Sequence, residues 1–590
     1  MKKLNKLWHF MRNNRGKYIL AIIFMGVSVG FSLMVPVIIQ MVVDSFIGEL
    51  PSDHLLIQRI IQMPGGREYV RSNLWIGGLA IIVVTAIYGL FLFLSNRLSA
   101  EASEDIAKNI RDRVYDHIQQ MPFDYHKNSD TGDLLQRATS DVETVRRFLS
   151  IQLMEVGRAI FMVVIALYFM LQISWKMTIA AMILTPIIFF FGYIFFIKVQ
   201  KAFKISDEAE AELSTVIQEN LHGTRVVRAF AREKFEIEKF KEKNKSYAEK
   251  TYRLIKYLAY YWSISDFISL ASIGLVLVSG VYFTYMGEIT LGAIIVFIQY
   301  EYRLLWPIRQ LGRILSDLGK AIVSSDRIQE ILDGEIESDQ ENETTPEIKG
   351  EIVFENVSFA YPDNFERKVL DHVSFTVKKG QTVAVIGRTG SGKSSLIHLL
   401  GRLYDVDDGR IMIDGVDIKN IQKKWLRKHI GIVLQEPFLF SKTIKDNINF
   451  SSRQSENSIY EAAKIASVHE VIEEFEKGYN TLVGEKGVTL SGGQKQRLAI
   501  ARTLVNDYPI LAFDDSLSAV DTETDLAIRK ALSERKKDIT TFIISHRVAS
   551  VYDADNILVV EDGKITERGT HAELMALRGY YKRIWDIQMA

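Results

Sequence analysis

The stretch VIGRTGSGKSS, residues 385–395, decides how the second half of this sequence folds. Gly387 to Ser394 fits the pattern G-x-x-x-x-G-K-[ST]. It follows the apolar run QTVAVIG, which reads as a strand, and it opens a helix from Lys393. That strand–loop–helix context turns the pattern into a mechanism. Gly387, Gly390 and Gly392 let main-chain N–H groups curl around phosphate oxygens, and the helix N-terminus adds its dipole. Arg388, Thr389, Ser391 and Ser395 complete the loop. Lys393 reaches the β/γ-phosphates and Ser394 ligates Mg²⁺. The loop is expected to bind ATP with Mg²⁺, in a chain whose first half reads as membrane.

The 590 residues exceed one ordinary domain. Formal net charge is zero, so composition offers no basic face for nucleic acid, and none is expected as a partner. Cysteine is absent, which excludes disulfides, thiolate metal sites and thiol chemistry. The basic start MKKLNKLWHFMRNNRGK is followed by an apolar run too long for a signal-peptide core and without a small-residue cleavage site. It reads as a retained membrane helix with its basic end in the cytoplasm.

A helix needs about 20 mostly apolar residues to cross a bilayer. Six stretches qualify, at about 18–43, 74–95, 153–173, 176–198, 261–285 and 289–309, within a membrane domain spanning 1–332. The long polar loops 96–152 and 199–260 are rich in Lys and Arg and keep helical periodicity, which places them in the cytoplasm as extensions of the spans. Each breaks its pattern near its middle, at 123–142 and 216–233, and these tips are expected to form short crosswise helices that touch another domain. The connection 44–73 falls outside the membrane, with a turn expected at Gly65-Gly66. The acidic, non-periodic stretch 333–350 reads as a linker. Over 351–590, strands and helices alternate, which implies an α/β domain with a largely parallel sheet.

Further polar residues stand at the ends of these strands. Asp514 ends PILAFD and is expected to hold Mg²⁺. Gln435 follows IGIVL and is placed to sense the metal or the attacking water. His546 follows TFIIS and is placed to bond the γ-phosphate. Tyr361, after NVSFA, offers a ring for adenine. LSGGQKQR, residues 490–497, sets Ser491, Gly492 and Gly493 before a helix expected to begin near Gln494, a second anion-binding helix start. One domain already has a γ-phosphate site, so this motif is expected to close on a nucleotide held by another copy.

With the phosphate loop and LSGGQ together, the chain resembles an ATP-binding cassette (ABC) exporter half-transporter over nearly all its length. The resemblance implies a six-span helical membrane domain of the type I or type IV exporter kind, fused to an α/β P-loop nucleotide-binding domain. It implies that Gly387–Ser395 is the Walker A loop, Gln435 the Q-loop and Ser491–Gln494 the signature. Asp514 becomes the Walker B carboxylate, Ser518–Asp521 the D-loop, His546 the switch histidine and Tyr361 the adenine-stacking aromatic. TLVGEKG, residues 481–487, resembles the segment that meets the intracellular loops. The two tips become coupling helices, the second docking on the partner's nucleotide domain. The implied protein is a multi-pass ATPase of the cytoplasmic membrane, with the nucleotide domain and N-terminus inside.

One residue departs from that pattern. Members that hydrolyse ATP well carry Glu directly after the Walker B Asp; this chain has Asp515. Asp keeps the charge needed to polarise water but is one methylene shorter, and a misplacement of ~1 Å can cost ~100-fold. The substitution resembles the degenerate-site subunit of bacterial heterodimeric multidrug exporters. It implies a partner half-transporter with Glu at that place and an altered signature. The expected cargo is a drug or other lipophilic compound; a lipid or lipid-linked-sugar flippase, or a slow homodimer, is the alternative. If the last span begins near Leu291, Glu301 lies ten residues in, about 15 Å deep, and is expected either to contact cationic substrate or to pair with a neighbouring helix or cavity water.

Overall fold

The computed structural model describes residues 8–48, 50, 58–59, 66–339, 343–450, 454–484, 490–517, 522–535 and 538–589. The chain divides into two compact units, one of Met1–Gln119 with Asp130–Gly334, the other of Gln120–Ser129 with Glu335–Ala590.

The first unit is helical. Among the described residues, five helices are long and apolar enough to cross a membrane: Arg12–Ile47, Trp75–Gln120, Thr131–Ile173, Trp175–Ala229 and Glu233–Tyr285. The last expected span lies in the helix Leu291–Leu332, where Glu301 and Arg303 dilute the apolar run. That helix begins at Leu291, with Thr290 accepting a bond from the Ala293 amide at 3.2 Å. Ile82, Phe93, Phe190, Leu270 and Val278 each stand more than half exposed on these helices. Apolar surface on that scale is what lipid covers, and a helix satisfies its own main chain there. The helices also outrun the bilayer. Thr185–Ala229 has 45 residues and Glu233–Tyr285 has 53. At 1.5 Å per residue each is at least about 65 Å long, against a hydrocarbon core of about 30 Å.

The two loop tips differ. The first folds as expected into short helices, Phe123–Asn128 and Thr131–Gln136, the latter capped by Asp130, which accepts from the Gly132 amide at 2.7 Å. The second forms no crosswise helix. The helix runs unbroken through Gly223 to Ala229, turns at Phe230–Arg232 with Ala231 left-handed at φ +49°, and re-enters helix at Glu233. A single interior Gly costs only ~1 kcal/mol, which packing between two long antiparallel helices overrides. Asn220, whose amide donates to Glu236 at 2.6 Å, ties the pair together just before the turn. Gly66 opens the helix Gly66–Ser72; Gly65, the other half of the expected turn, lies outside the described residues.

The acidic stretch after the last membrane helix is tied down. From Glu335 it belongs to the second unit. Arg427 donates to Glu337 at 2.6 and 3.0 Å, a two-pronged pair, and Arg402 donates to Glu343 at 2.9 Å. Asp414 accepts from the amides of Lys349, Gly350 and Glu351. The acidic composition that reads as a linker is the complement of basic side chains further along the chain.

Among the described residues, the second unit contains two sheets. β1 (Ile352–Phe359), β2 (Leu370–Val377), β4 (Asp408–Ile413) and β5 (Val416–Asp417) form an antiparallel sheet in the order β2-β1-β4-β5. β3 (Thr382–Gly387), β6 (Ile430–Val433), β7 (Ile510–Asp514), β8 (Thr540–Ile544), β9 (Asn556–Glu561) and β10 (Lys564–Gly569) form the other, in the order β10-β9-β3-β8-β7-β6. Every pairing from β9 to β6 is parallel. β7 is buried along its whole length, as strands covered on both faces are. The register places Val385, Ile544 and Asp514 in one row across β3, β8 and β7. The carboxyl ends of these strands therefore open at one edge, where α/β sheets bind ligands.

Candidate functional site

A cleft of ≈ 570 Å³ lies at that edge. It is lined by Tyr361, Gly390, Gly392, Lys393, Ser394, Ser395, Gln435, Asp514, Asp515 and His546, among others. Residues from widely separated parts of the sequence thus face one space.

The loop's glycines are there for two different reasons. Gly392 caps the helix Lys393–Leu400 at φ +103°, and a Cβ on it would meet the Val369 carbonyl oxygen at 2.6 Å. Gly390 lies at φ +81° in open space, so it is required only by its backbone angle. Lys393 is buried, and its Nζ donates to the carbonyls of Gly387 and Arg388 at 3.0 and 2.8 Å, holding the loop curled. Burial pulls its ammonium below the ordinary lysine range, opposed by the carboxylates of Asp515 and Asp514.

Ser394 Oγ donates to Asp514 Oδ1 over 2.8 Å, so the two expected Mg²⁺ ligands are in contact. Burial raises the Asp514 carboxyl above the usual carboxylate range, with the Ser394 bond pulling the other way. A hard cation with oxygen ligands fits this pair, since it would restore the charged form that burial disfavours. Asp515 follows with a left-handed backbone at φ +46°, and its amide donates to the Ile544 carbonyl at 3.0 Å. Gln435 and His546 are exposed on the cleft wall.

Tyr361 sits in an aromatic cluster with Phe359 and Tyr404, at centroid distances of 4.9 and 5.1 Å. Its hydroxyl shares a hydrogen bond with Ser395 Oγ at 2.9 Å. Two residues at this corner escape a sequence reading. Lys127 places its ammonium 4.2 Å from the Tyr361 ring centroid and pairs with Asp363 at 3.8 Å. Phe123 packs edge-on to Tyr404 at 5.7 Å and lies 5.9 Å from the His398 ring. Both come from Gln120–Ser129, the part of the first tip that belongs to the second unit. The signal available in advance was aromatic residues in an otherwise polar loop, FDYHK.

The signature lies apart. Among the described residues, Ser491–Gln494 contribute nothing to the cleft wall. The helix Gly492–Leu504 starts two residues earlier than expected, because Ser491 and Gln494 form a reciprocal capping box. Gln496, buried on the same helix, donates to the Leu434 carbonyl beside Gln435 at 3.4 Å. The D-loop Ser518–Asp521 and residues 485–487 of TLVGEKG lie outside the described residues.

Glu301 does not face an open cavity. It is 1% exposed and accepts from Ser272 Oγ at 2.6 Å within the membrane unit. Arg303 turns away to bond the Ser32 carbonyl at 3.0 Å.

Comparison with known proteins agrees with this geometry. Residues 18–308 match the ABC transporter transmembrane region, and residues 370–518 match the family described as ABC transporter. The uncharacterized ABC transporter ATP-binding protein YknU of Bacillus subtilis is 34% identical over 100% of this chain and 98% of its own. YgaD of the same organism, provisionally named a multidrug export ATP-binding/permease protein, is 35% identical over 86% of this chain and 89% of its own. The solved structure of a bacterial Atm1-family ABC exporter with ATP bound superimposes with a TM-score of 0.79 at 25% identity, covering 98% of this chain and 99% of that one. This chain belongs to the ABC transporters: it is an ATP-binding membrane exporter subunit that joins one transmembrane region to one cytoplasmic nucleotide-binding domain.

Proposed function

We propose that this chain is one half of a heterodimeric exporter of drugs or other amphiphilic compounds, and that its own ATP site binds nucleotide well and hydrolyses it slowly. The observation that carries the second part is the pinned backbone of Asp515. Its amide is bonded to Ile544 and its φ is +46°, so the main chain cannot advance to make up the methylene that Asp lacks relative to Glu. In-line attack tolerates little misplacement, and ~1 Å costs ~100-fold.

In this reading Ser394, Asp514 and Gln435 hold Mg²⁺, which when bound supplies charge neutralisation to the phosphates. Lys393 and the loop amides of Gly387–Ser395 orient the β/γ-phosphates, Tyr361 receives the adenine, and His546 holds the γ-phosphate. Ser491–Gln494 complete a site on the partner. Their separation from this chain's own cleft supports that division, as does the intact capping box. Six spans form the membrane half, with Leu291–Leu332 supplying the sixth. The second tip ends in strongly exposed Leu221 and Phe230, beside a cleft of ≈ 330 Å³ lined by Val216, Ile217 and Phe240, which suits docking on a partner's nucleotide domain. ATP drives transport by stabilising the closed pair over the open one.

The multidrug names among the relatives support the cargo class. The test is ATP-dependent accumulation of a fluorescent lipophilic cation in inverted vesicles, with this chain alone and with a co-expressed half-transporter encoded beside it. Accumulation only with both chains supports the reading. Equal accumulation with this chain alone removes the heterodimer, and translocation of labelled lipid without the cation favours a flippase.

A further inference from the structure

We propose that the C-terminal helix Tyr580–Met589 is a strap that sets the position of the switch histidine, with Gln588 as its positioning residue. Gln588 grips the main chain on both sides of Arg547: its Nε2 donates to the His546 carbonyl at 2.8 Å, and its Oε1 accepts from the Val548 amide at 2.8 Å. The two bonds fix the amide's orientation, since a carbonyl only accepts and an N–H only donates. His546 is exposed, so its side-chain direction depends on how firmly its main chain is held.

The strap is anchored at its other end. Glu567, on β10, accepts from the amides of Tyr580 and Tyr581, which caps the helix start. Tyr581 is fully buried and its hydroxyl meets His571 Nδ1 at 2.7 Å. Trp585 packs 4.5 Å from the His571 ring. The Arg388 guanidinium, from the phosphate loop, lies 6.0 Å from the Tyr580 ring centroid, at the edge of cation–π range. One helix therefore reaches the phosphate loop at its start and the switch loop at its end. A shift of this helix moves His546 relative to the phosphate loop.

This rests on the reading of His546 as the γ-phosphate residue. It yields a split between nucleotides, because ADP lacks the group that His546 meets. The experiment measures equilibrium binding of fluorescent ATP and ADP analogues, with Mg²⁺, to the purified full chain carrying Gln588→Met or His546→Ala. Gln588→Met keeps the side chain's length on an exposed position and removes both bonds. The expected result is ATP affinity lowered about fivefold, the worth of two modest hydrogen bonds, with ADP affinity unchanged. His546→Ala is expected to show the same split more strongly. If Gln588→Met leaves both nucleotides unchanged, or weakens both equally, while His546→Ala shows the split, the strap is refuted and the histidine reading stands. If His546→Ala shows no split, the histidine reading fails and the strap falls with it.

Discussion

The amide of Asp515 donates to the carbonyl of Ile544 over 3.0 Å, while its own backbone turns left-handed at φ +46°. Two strands thereby fix where the residue after Walker B begins. Asp tolerates the left-handed region better than most side chains, so the conformation and the residue agree. In the proposed reading, the site keeps the parts that hold nucleotide and changes the one that positions water.

The phosphate loop offers a graded test of its glycines. Gly392→Ala adds a Cβ 2.6 Å from the Val369 carbonyl at φ +103°, whereas Gly390→Ala meets nothing within 4 Å and carries only the strain of φ +81°. Gly392→Ala is expected to abolish ATP binding. Gly390→Ala is expected to weaken it by about tenfold, the strain of a left-handed non-glycine residue. Isothermal binding on the full chain reads both.

Ser394 and Asp514 are bonded at 2.8 Å, and the pair is assigned to Mg²⁺. Chelating Mg²⁺ is expected to lower ATP affinity in the wild-type chain. Ser394→Ala is expected to lower it in the presence of Mg²⁺ and to blunt the further effect of chelation. An undiminished chelation effect in Ser394→Ala removes this serine from the metal site.

Burial raises the Asp514 carboxyl above its ordinary value of 3.8. The ionised form is then the costly one in the folded state. Asp514 takes no stability away below that ordinary value, and it takes stability away as pH rises through the raised folded value. Asp514→Asn is expected to raise the thermal midpoint of the nucleotide domain at neutral pH, with the gain shrinking as pH falls towards the ordinary value of 3.8, while Mg²⁺-dependent ATP binding is lost. A gain that grows on acidification contradicts the burial argument. Thermal unfolding of the full chain in detergent across that range decides it.

Phe123 packs on His398 and Tyr404 within the second unit. Phe123→Ala is expected to leave ATP affinity unchanged and to reduce the stimulation of ATPase activity by transported compound in the assembled exporter. Loss of ATP affinity instead makes the contact structural for the adenine site.

Much of this was legible in advance because it is local. The last span, expected from about 289, starts at Leu291, and the phosphate loop follows from glycine spacing between a strand and a helix. What was not legible is tertiary. Glu337 reads as a solvated linker acid until Arg427 folds against it. Gly223 reads as a break until two long helices pack across it. Lys127 reads as loop charge until the fold lays it on Tyr361, and Gln588 reads as tail until it meets the switch loop. Depth along the helix leaves Glu301 open between substrate and a neighbouring helix, and only the fold brings Ser272 to it.

The central claim is that Asp515 makes this site slow without making it weak. The direct measurement is steady-state ATPase activity of the purified chain alone, wild type against Asp515→Glu, with ATP affinity measured in parallel. The account predicts slow turnover in the wild type, a rise of about tenfold or more in Asp515→Glu, and equal ATP affinity in both. Wild-type turnover equal to or above that of Asp515→Glu contradicts it.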